Sequence, residues 1–113
     1  MKHFNTIEDV VASYPGRFYP DRAKGVDGVI QFIFTGQSGG AYFLVIHDQQ
    51  LDVEEGDHPD PTVTITVPAE AWLQVNNGET SPMGLLMKGQ LKVRGSLAMA
   101  TKFQTLFRPG AEL

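Results

Sequence analysis

The sequence holds 113 residues, 42% hydrophobic and 19% charged, a balance that excludes a disordered chain and fits one folded domain over 1–113. It has no cysteine, which excludes disulfides, thiolate catalysis and cysteine-ligated metal, and no apolar run nears the roughly 18 residues that span a bilayer. A net charge of −4 argues against general nucleic-acid binding, which needs clustered cations, and the polar start Met1-Lys2-His3-Phe4-Asn5 lacks a signal-peptide pattern, so a cytoplasmic protein is expected.

In chain order, Thr6 with Asp9 three residues on reads as the cap of a helix. Ile7, Val10, Val11 and Tyr14 form its apolar face, and Pro15-Gly16 is expected to stop it. Residues 17–25 are irregular, with a short turn after Pro20. The middle of the chain reads as strands. Val26–Thr35 places Ile30, Phe32 and Phe34 on one face by the period of two, and Ala41–His47 and Leu51–Glu55 follow after short, hairpin-like connections. Thr62–Val67 alternates most clearly, with Val63, Ile65 and Val67 inward, as in a sheet covered on one side only. Three helical segments and a last strand complete the pattern. One helix starts at Pro68 with Ala69, Trp72 and Leu73 inward and ends at Asn77-Gly78. A second is capped by Ser81 with Pro82 in its first turn, with Met83, Leu86 and Met87 inward and Gly89 as its stop. Gln90–Arg94 is a short fifth strand with Leu91 and Val93 inward. A last helix carries Met99, Phe103, Leu106 and Phe107 on its stripe and ends at Pro109-Gly110. The expected fold class is α+β, a five-stranded, mainly antiparallel sheet with helices packed on one face.

Catalytic machinery is not evident. His3, His47 and His58 show no metal-ligand spacing, and adjacent strand residues such as His47 and Asp48 point to opposite faces. Gly36-Gln37-Ser38-Gly39-Gly40 has the spacing of a nucleophile elbow, but it joins two strands rather than a strand and a helix, so it reads as a hairpin loop. The six acids between Asp48 and Asp60 do not match a calcium loop and read as a solvated strand face. No phosphate-binding glycine fingerprint occurs, and no cofactor and no catalytic or metal-binding residue is expected.

The charge is segregated. Residues 25–87 hold nine acids and no Lys or Arg, whereas residues 88–113 hold Lys88, Lys92, Arg94, Lys102 and Arg108 against Glu112 alone. This basic segment is either an ordinary solvated surface or a transient contact with an anionic membrane. The helices of the second half are rich in methionine and aromatic side chains, which fits either a plain core or an adaptable apolar cavity.

Two stretches carry a family resemblance. Asp60–Val67, then Trp72-Leu73 and Asn77-Gly78, together with Met87-Lys88-Gly89-Gln90-Leu91-Lys92-Val93-Arg94-Gly95 and Ala98, Ala100, Lys102, Phe103, Leu106 and Phe107, resemble the sterol carrier protein type 2 domain family over about residues 24–108. Gln90, Val93 and Phe103 depart from the family's usual lysine, isoleucine and leucine, and all three changes are conservative in burial. The resemblance implies a non-catalytic lipid-binding and transfer protein. It would hold a fatty acyl, sterol-like or isoprenoid ligand in an apolar tunnel between sheet and helices, with the last helix as lid and Lys102 outward. The lining carried over by position is Trp72, Met83, Leu86, Met87, Leu91, Met99, Phe103 and Phe107 from the second half, and Ile30, Phe32, Phe43 and Ile65 from the strands. The alternative is an accessory module that presents a prenylated quinone intermediate, or a partner's apolar segment, to other enzymes. Ala111-Glu112-Leu113 departs from a peroxisomal Ser-Lys-Leu signal, which fits the cytoplasmic expectation.

Overall fold

The computed structural model describes residues 3–110. Met1, Lys2 and Ala111-Glu112-Leu113, and with them the reading of the C-terminal tripeptide, lie outside the described residues. Helix α1 spans Ile7–Arg17. Thr6 caps it as expected, its hydroxyl accepting the Asp9 N–H at 3.1 Å. The helix passes through Pro15 instead of stopping there. Pro15 removes one helical donor, but Arg17 holds the last turn in place: its Nε donates to the Arg108 carbonyl at 2.9 Å, and the Arg108 N–H donates back to the Arg17 carbonyl at 2.8 Å. A 3-10 turn at Pro20–Ala23 leads into the sheet.

The strands are β1 (Gly28–Thr35), β2 (Gly40–His47), β3 (Gln50–Glu55), β4 (Val63–Pro68) and β5 (Lys92–Gly95), in the order β3-β2-β1-β4-β5. Every pair is antiparallel except β1–β4, which is parallel and aligns Ile30 with Val63, Phe32 with Ile65 and Phe34 with Val67. The sheet is therefore mixed but mainly antiparallel. Helices α2 (Ala69–Asn76), α3 (Pro82–Met87) and α4 (Leu97–Leu106) join α1. The core lies between these helices and one sheet face, where Ile30, Phe32, Leu44, Val63 and Val67 are wholly buried. Pro68 ends β4 and precedes α2 rather than opening it. The start of the chain is clamped to the end of α2, with the Phe4 N–H donating to Asn77 Oδ1 at 2.7 Å and Asn77 Nδ2 to the Phe4 carbonyl at 3.0 Å.

The outer sheet face is crossed by residues 56–62, which run from the β3 edge to β4. Gln31, almost fully buried, staples this crossing. Its Nε2 donates to the carbonyls of Tyr42 (3.1 Å) and Gly56 (3.0 Å), and its Oε1 accepts the His58 N–H at 2.7 Å. His58 also packs edge-on against Phe43, with ring centroids 5.2 Å apart. A structural role for His58 and an outward position for Phe43 follow from this one loop.

The β2–β3 turn places Asp48 and Gln49 at φ of 50° and 61°, between the paired residues His47 and Gln50. Two successive left-handed residues form the mirror-image turn that suits hairpin twist, and a non-glycine there costs about 1–2 kcal/mol. Gln49→Gly is expected to raise stability by about 1 kcal/mol in urea denaturation, at the loss of a solvent-exposed Gln49–Pro20 hydrogen bond. The same turn brings both Asp27 and Asp48 to the His47 ring, each at 3.1 Å. Asp48 reaches the ring because it belongs to the turn and not to the strand. The trio is exposed, and no group of metal-ligating side chains occurs among the described residues.

Candidate functional site

The helical layer leaves a cleft above β4 and β5, between α2–α3 on one side and α4 on the other. It has two compartments that share Trp72, Pro82, Phe103 and Gln104. The inner one, about 140 Å³, has Ile65, Leu91 and Val93 as its floor, Met83 and Leu86 from α3, and Leu97, Ala100 and Thr101 from α4. The outer one, about 290 Å³, continues over Tyr14, Val75 and Phe107 and ends among Arg17, Asn76, Thr80, Ser81 and Arg108. Both compartments are thus mostly apolar, and the charged side chains that border the cleft, Arg17 and Arg108, belong to the outer one. Small-molecule pockets usually measure about 300–1,000 Å³, so a long ligand must use both compartments.

The wall between them is fixed by an aromatic cluster. Phe103 lies 5.8 Å edge-on to Tyr14, 5.5 Å from Phe32 and 4.9 Å from Phe107, and Trp72 lies 5.5 Å from Phe32. The Trp72 indole N–H donates to the Tyr14 hydroxyl at 2.9 Å, which satisfies a polar atom that burial would otherwise penalise. Burial pushes the Tyr14 phenol up to about 12, against smaller opposing effects from Arg17 and the Trp72 hydrogen bond. A folded-state value above the unfolded 10.0 means the native state holds its proton longer, so this contribution is complete below pH 10 and is lost as the pH rises toward 12. Denaturation midpoints are expected to fall across that window, and Tyr14→Phe to flatten the fall.

Arg17 is the unusual residue of the outer compartment. It is buried, its guanidinium lies 4.9 Å from the Tyr14 ring centre and 5.8 Å from that of Phe4, and Nη1 donates to Ser13 Oγ at 3.0 Å. Among the described residues no carboxylate pairs with it. Burial lowers its pKa, partly countered by Tyr14, but a guanidinium stays protonated at neutral pH. Of its five N–H donors, two are engaged among the described residues.

Of the residues expected to line a tunnel, Ile65, Trp72, Met83, Leu86, Leu91, Phe103 and Phe107 border this cleft. The others do not. Ile30 and Phe32 face the helices but are filled over completely as core. Phe43 belongs to the outer sheet face because it pairs with Gln31 and Glu54, one residue out of phase with Leu44. Met99 turns toward Gly28 and Thr62 at the start of β1. Met87, at 82% exposed, is outside the cleft altogether, because α3 buries Leu85 instead and Met87 lies two residues further round the helix. Arg17, Pro82, Leu97, Ala100 and Gln104 were not foreseen. The α4 row Leu97, Ala100, Thr101 and Gln104 has helical spacing but little apolar character, and the Met99–Phe103–Leu106 stripe masks it. Arg17 follows Tyr14 at the helical interval of three, the one hint that it shares the buried side of α1.

Comparisons with known proteins agree with this architecture. The family model of the SCP-2 sterol transfer family matches residues 7–108. Hydroxysteroid dehydrogenase-like protein 2 of Rattus norvegicus is 26% identical over 105 residues, which are 92% of this chain and 20% of that protein, so the chain spans about a fifth of the relative's length. The solution structure of palmitated SCP2L2 from Aedes aegypti superposes with a TM-score of 0.72 at 24% identity, covering 92% of this chain and 93% of that one. The sec-alkylsulfatase Pisa1 from Pseudomonas sp. gives a TM-score of 0.78 at 18% identity over 91% of this chain and 16% of its own. With the family model spanning nearly every described residue of a five-stranded sheet and its helical cover, the chain belongs to the SCP-2 sterol transfer family.

Proposed function

We propose that this chain binds and carries a single-tailed amphiphile with an anionic head, a fatty acid in the simplest case. The observation that carries the reading is the placement of charge in the cleft: an inner compartment lined by no charged side chain is joined at Trp72 and Phe103 to an outer one that borders the buried Arg17 guanidinium, with which no carboxylate pairs among the described residues. The tail gains about 0.8 kcal/mol for each methylene removed from water over Ile65, Leu91 and Phe103. The head meets the spare donors of Arg17, with Arg108 at the same rim, as charge-assisted hydrogen bonds. Helix α3 is the part that yields: it is six residues long and buries only Leu85, fewer than α2 or α4 bury, so it opens at less cost than either.

The test is a titration of the purified chain with a fluorescent fatty acid, followed by competition. Saturable one-to-one binding, displaced by palmitate and far less by hexadecanol of the same chain length, supports the reading. Equal displacement by the two removes the anionic head from it. Failure of every fatty acid, sterol and polyprenylated phenol to bind defeats the carrier reading itself.

A further inference from the structure

The two edges of the sheet carry opposite charge in matching patterns. β3 lies at one end of the strand order and β5 at the other. β3 holds Asp52, Glu54 and Glu55 and no cation, and β5 holds Lys92 and Arg94 and no acid. Asp52 and Glu54 pair with Val45 and Phe43, and Lys92 and Arg94 with Thr66 and Thr64, so all four charges lie on the outer sheet face that Gln31 shares. All four are exposed, and Val53 and Val93 sit between them on the helix side. The backbone is matched as well. The Gly56 N–H donates to the Ala41 carbonyl at 2.8 Å, and the Ser96 N–H to the Thr62 carbonyl at 3.0 Å. Hydrogen-bonded pairs alternate along an antiparallel ladder, so Leu51 and Val53 on one edge, and Val93 and Gly95 on the other, turn their N–H and C=O groups outward. Among the described residues, none of these four makes a backbone hydrogen bond outside the sheet.

We infer that the β3 edge of one copy of the chain pairs with the β5 edge of the next. β3 runs parallel to β1 and β5 antiparallel to it, so a sheet continued with its helices on one side brings the two edges together antiparallel. In one register Val53 faces Val93 and exchanges both backbone bonds with it, while Asp52 faces Arg94 and Glu54 faces Lys92. Apolar side chains then meet on the helix side and opposite charges on the outer side. Charge of one sign on an edge strand guards against pairing, and here it guards like against like: β3 on β3 brings acids to acids, and β5 on β5 brings cations to cations. Only the unlike edges fit. Both belong to the same chain and share the same two-residue spacing of charge, which makes the fitting partner a second copy. Each copy offers one edge of each kind, so the contact is head-to-tail and repeats. The inference is independent of the carrier reading.

The test is sedimentation velocity of the full chain at rising protein concentration. It is run at about 10 mM salt, where charges act over about 30 Å, and at about 1 M, where they act over about 3 Å. Mass that grows past the dimer at low salt and returns to the monomer at high salt is expected. Two charge-reversed chains complete the test, Asp52→Lys with Glu54→Lys and Lys92→Glu with Arg94→Glu. Each alone has edges of one sign and should associate at least about tenfold more weakly than the unaltered chain. Mixed in equal amounts, the two should associate again, because each then supplies the edge that the other lacks. The four side chains are exposed, so melting temperatures should hold, and the salt comparison needs no variant. A monomer at every concentration in low salt overturns the inference. So does a species that stops at the dimer, a mixture that stays monomeric, or association that survives either reversal, which would assign the contact to another surface such as the exposed Met83, Met87 and Leu97.

Discussion

Trp72→Ala is expected to cost about 3–5 kcal/mol of stability, the range for deleting a large buried aromatic. Trp72 is 7% exposed, packs on Phe32, and anchors both compartments of the cleft. Its removal also leaves the fully buried Tyr14 hydroxyl without the indole donor it accepts from. Trp72→Phe separates the two losses. It keeps most of the packing and gives up the hydrogen bond, so it should cost about 1 kcal/mol more than the missing ring volume alone. Urea denaturation with an unchanged slope is the measurement, because an altered slope would mean that the folded or unfolded ensemble had changed instead. A loss below 1 kcal/mol for Trp72→Ala would contradict the central place given to this side chain.

The second large effect concerns binding rather than stability. Ala100 is half-buried on the α4 wall of the inner compartment, with space in front of its methyl group. Ala100→Phe should fill that space. Affinity for the fluorescent fatty acid should drop at least about tenfold, equivalent to the loss of roughly two buried methylenes, while the melting temperature holds or rises because an apolar void is closed. A variant that loses affinity and stability together would show strain in a packed wall, contrary to an open cleft. Unchanged affinity in a folded variant would place the ligand elsewhere and undo the assignment of the inner compartment.

Much of this architecture could be read from period and punctuation. The alternation Val63, Ile65, Val67 gives β4 and its buried face, and Thr6, Ser81 and Ser96 each accept a backbone N–H where their helices begin. The signature from Met87 to Gly95 pointed to the family that the comparisons then gave. What eluded the sequence had physical causes. A helix as short as α3 offers too few turns to fix its phase, so Leu85 and Met87 could exchange roles in a reading that relied on apolar character. Pro15 looks terminal because the last turn is held by bonds between Arg17 and Arg108, which lie ninety-one residues apart. Phe43 is as apolar as Leu44, and only the crossing of residues 56–62, pinned by Gln31, explains why an aromatic ring belongs on the outer side. Arg17 could not be singled out because one cation in a helix carries no pattern of its own.

The parallel pairing of β1 with β4 bears on how the molecule is assembled in time. β1, β2 and β3 follow one another through tight turns, and such hairpins zip in about 1–10 μs. The β1–β4 register joins residues more than thirty positions apart and must wait for the crossing segment to close, which places it among the slow, non-local steps that govern folding rates. During that interval α1, with Tyr14 stacked on Phe32, is the one helix already made that can cover Ile30, Phe32 and Leu44, and the free edge of β1 is a template for another chain. On a ribosome the three-stranded meander emerges well before Val63–Pro68 and α4, so the nascent chain is most prone to aggregation, and most in need of a chaperone, while its second half is still being made.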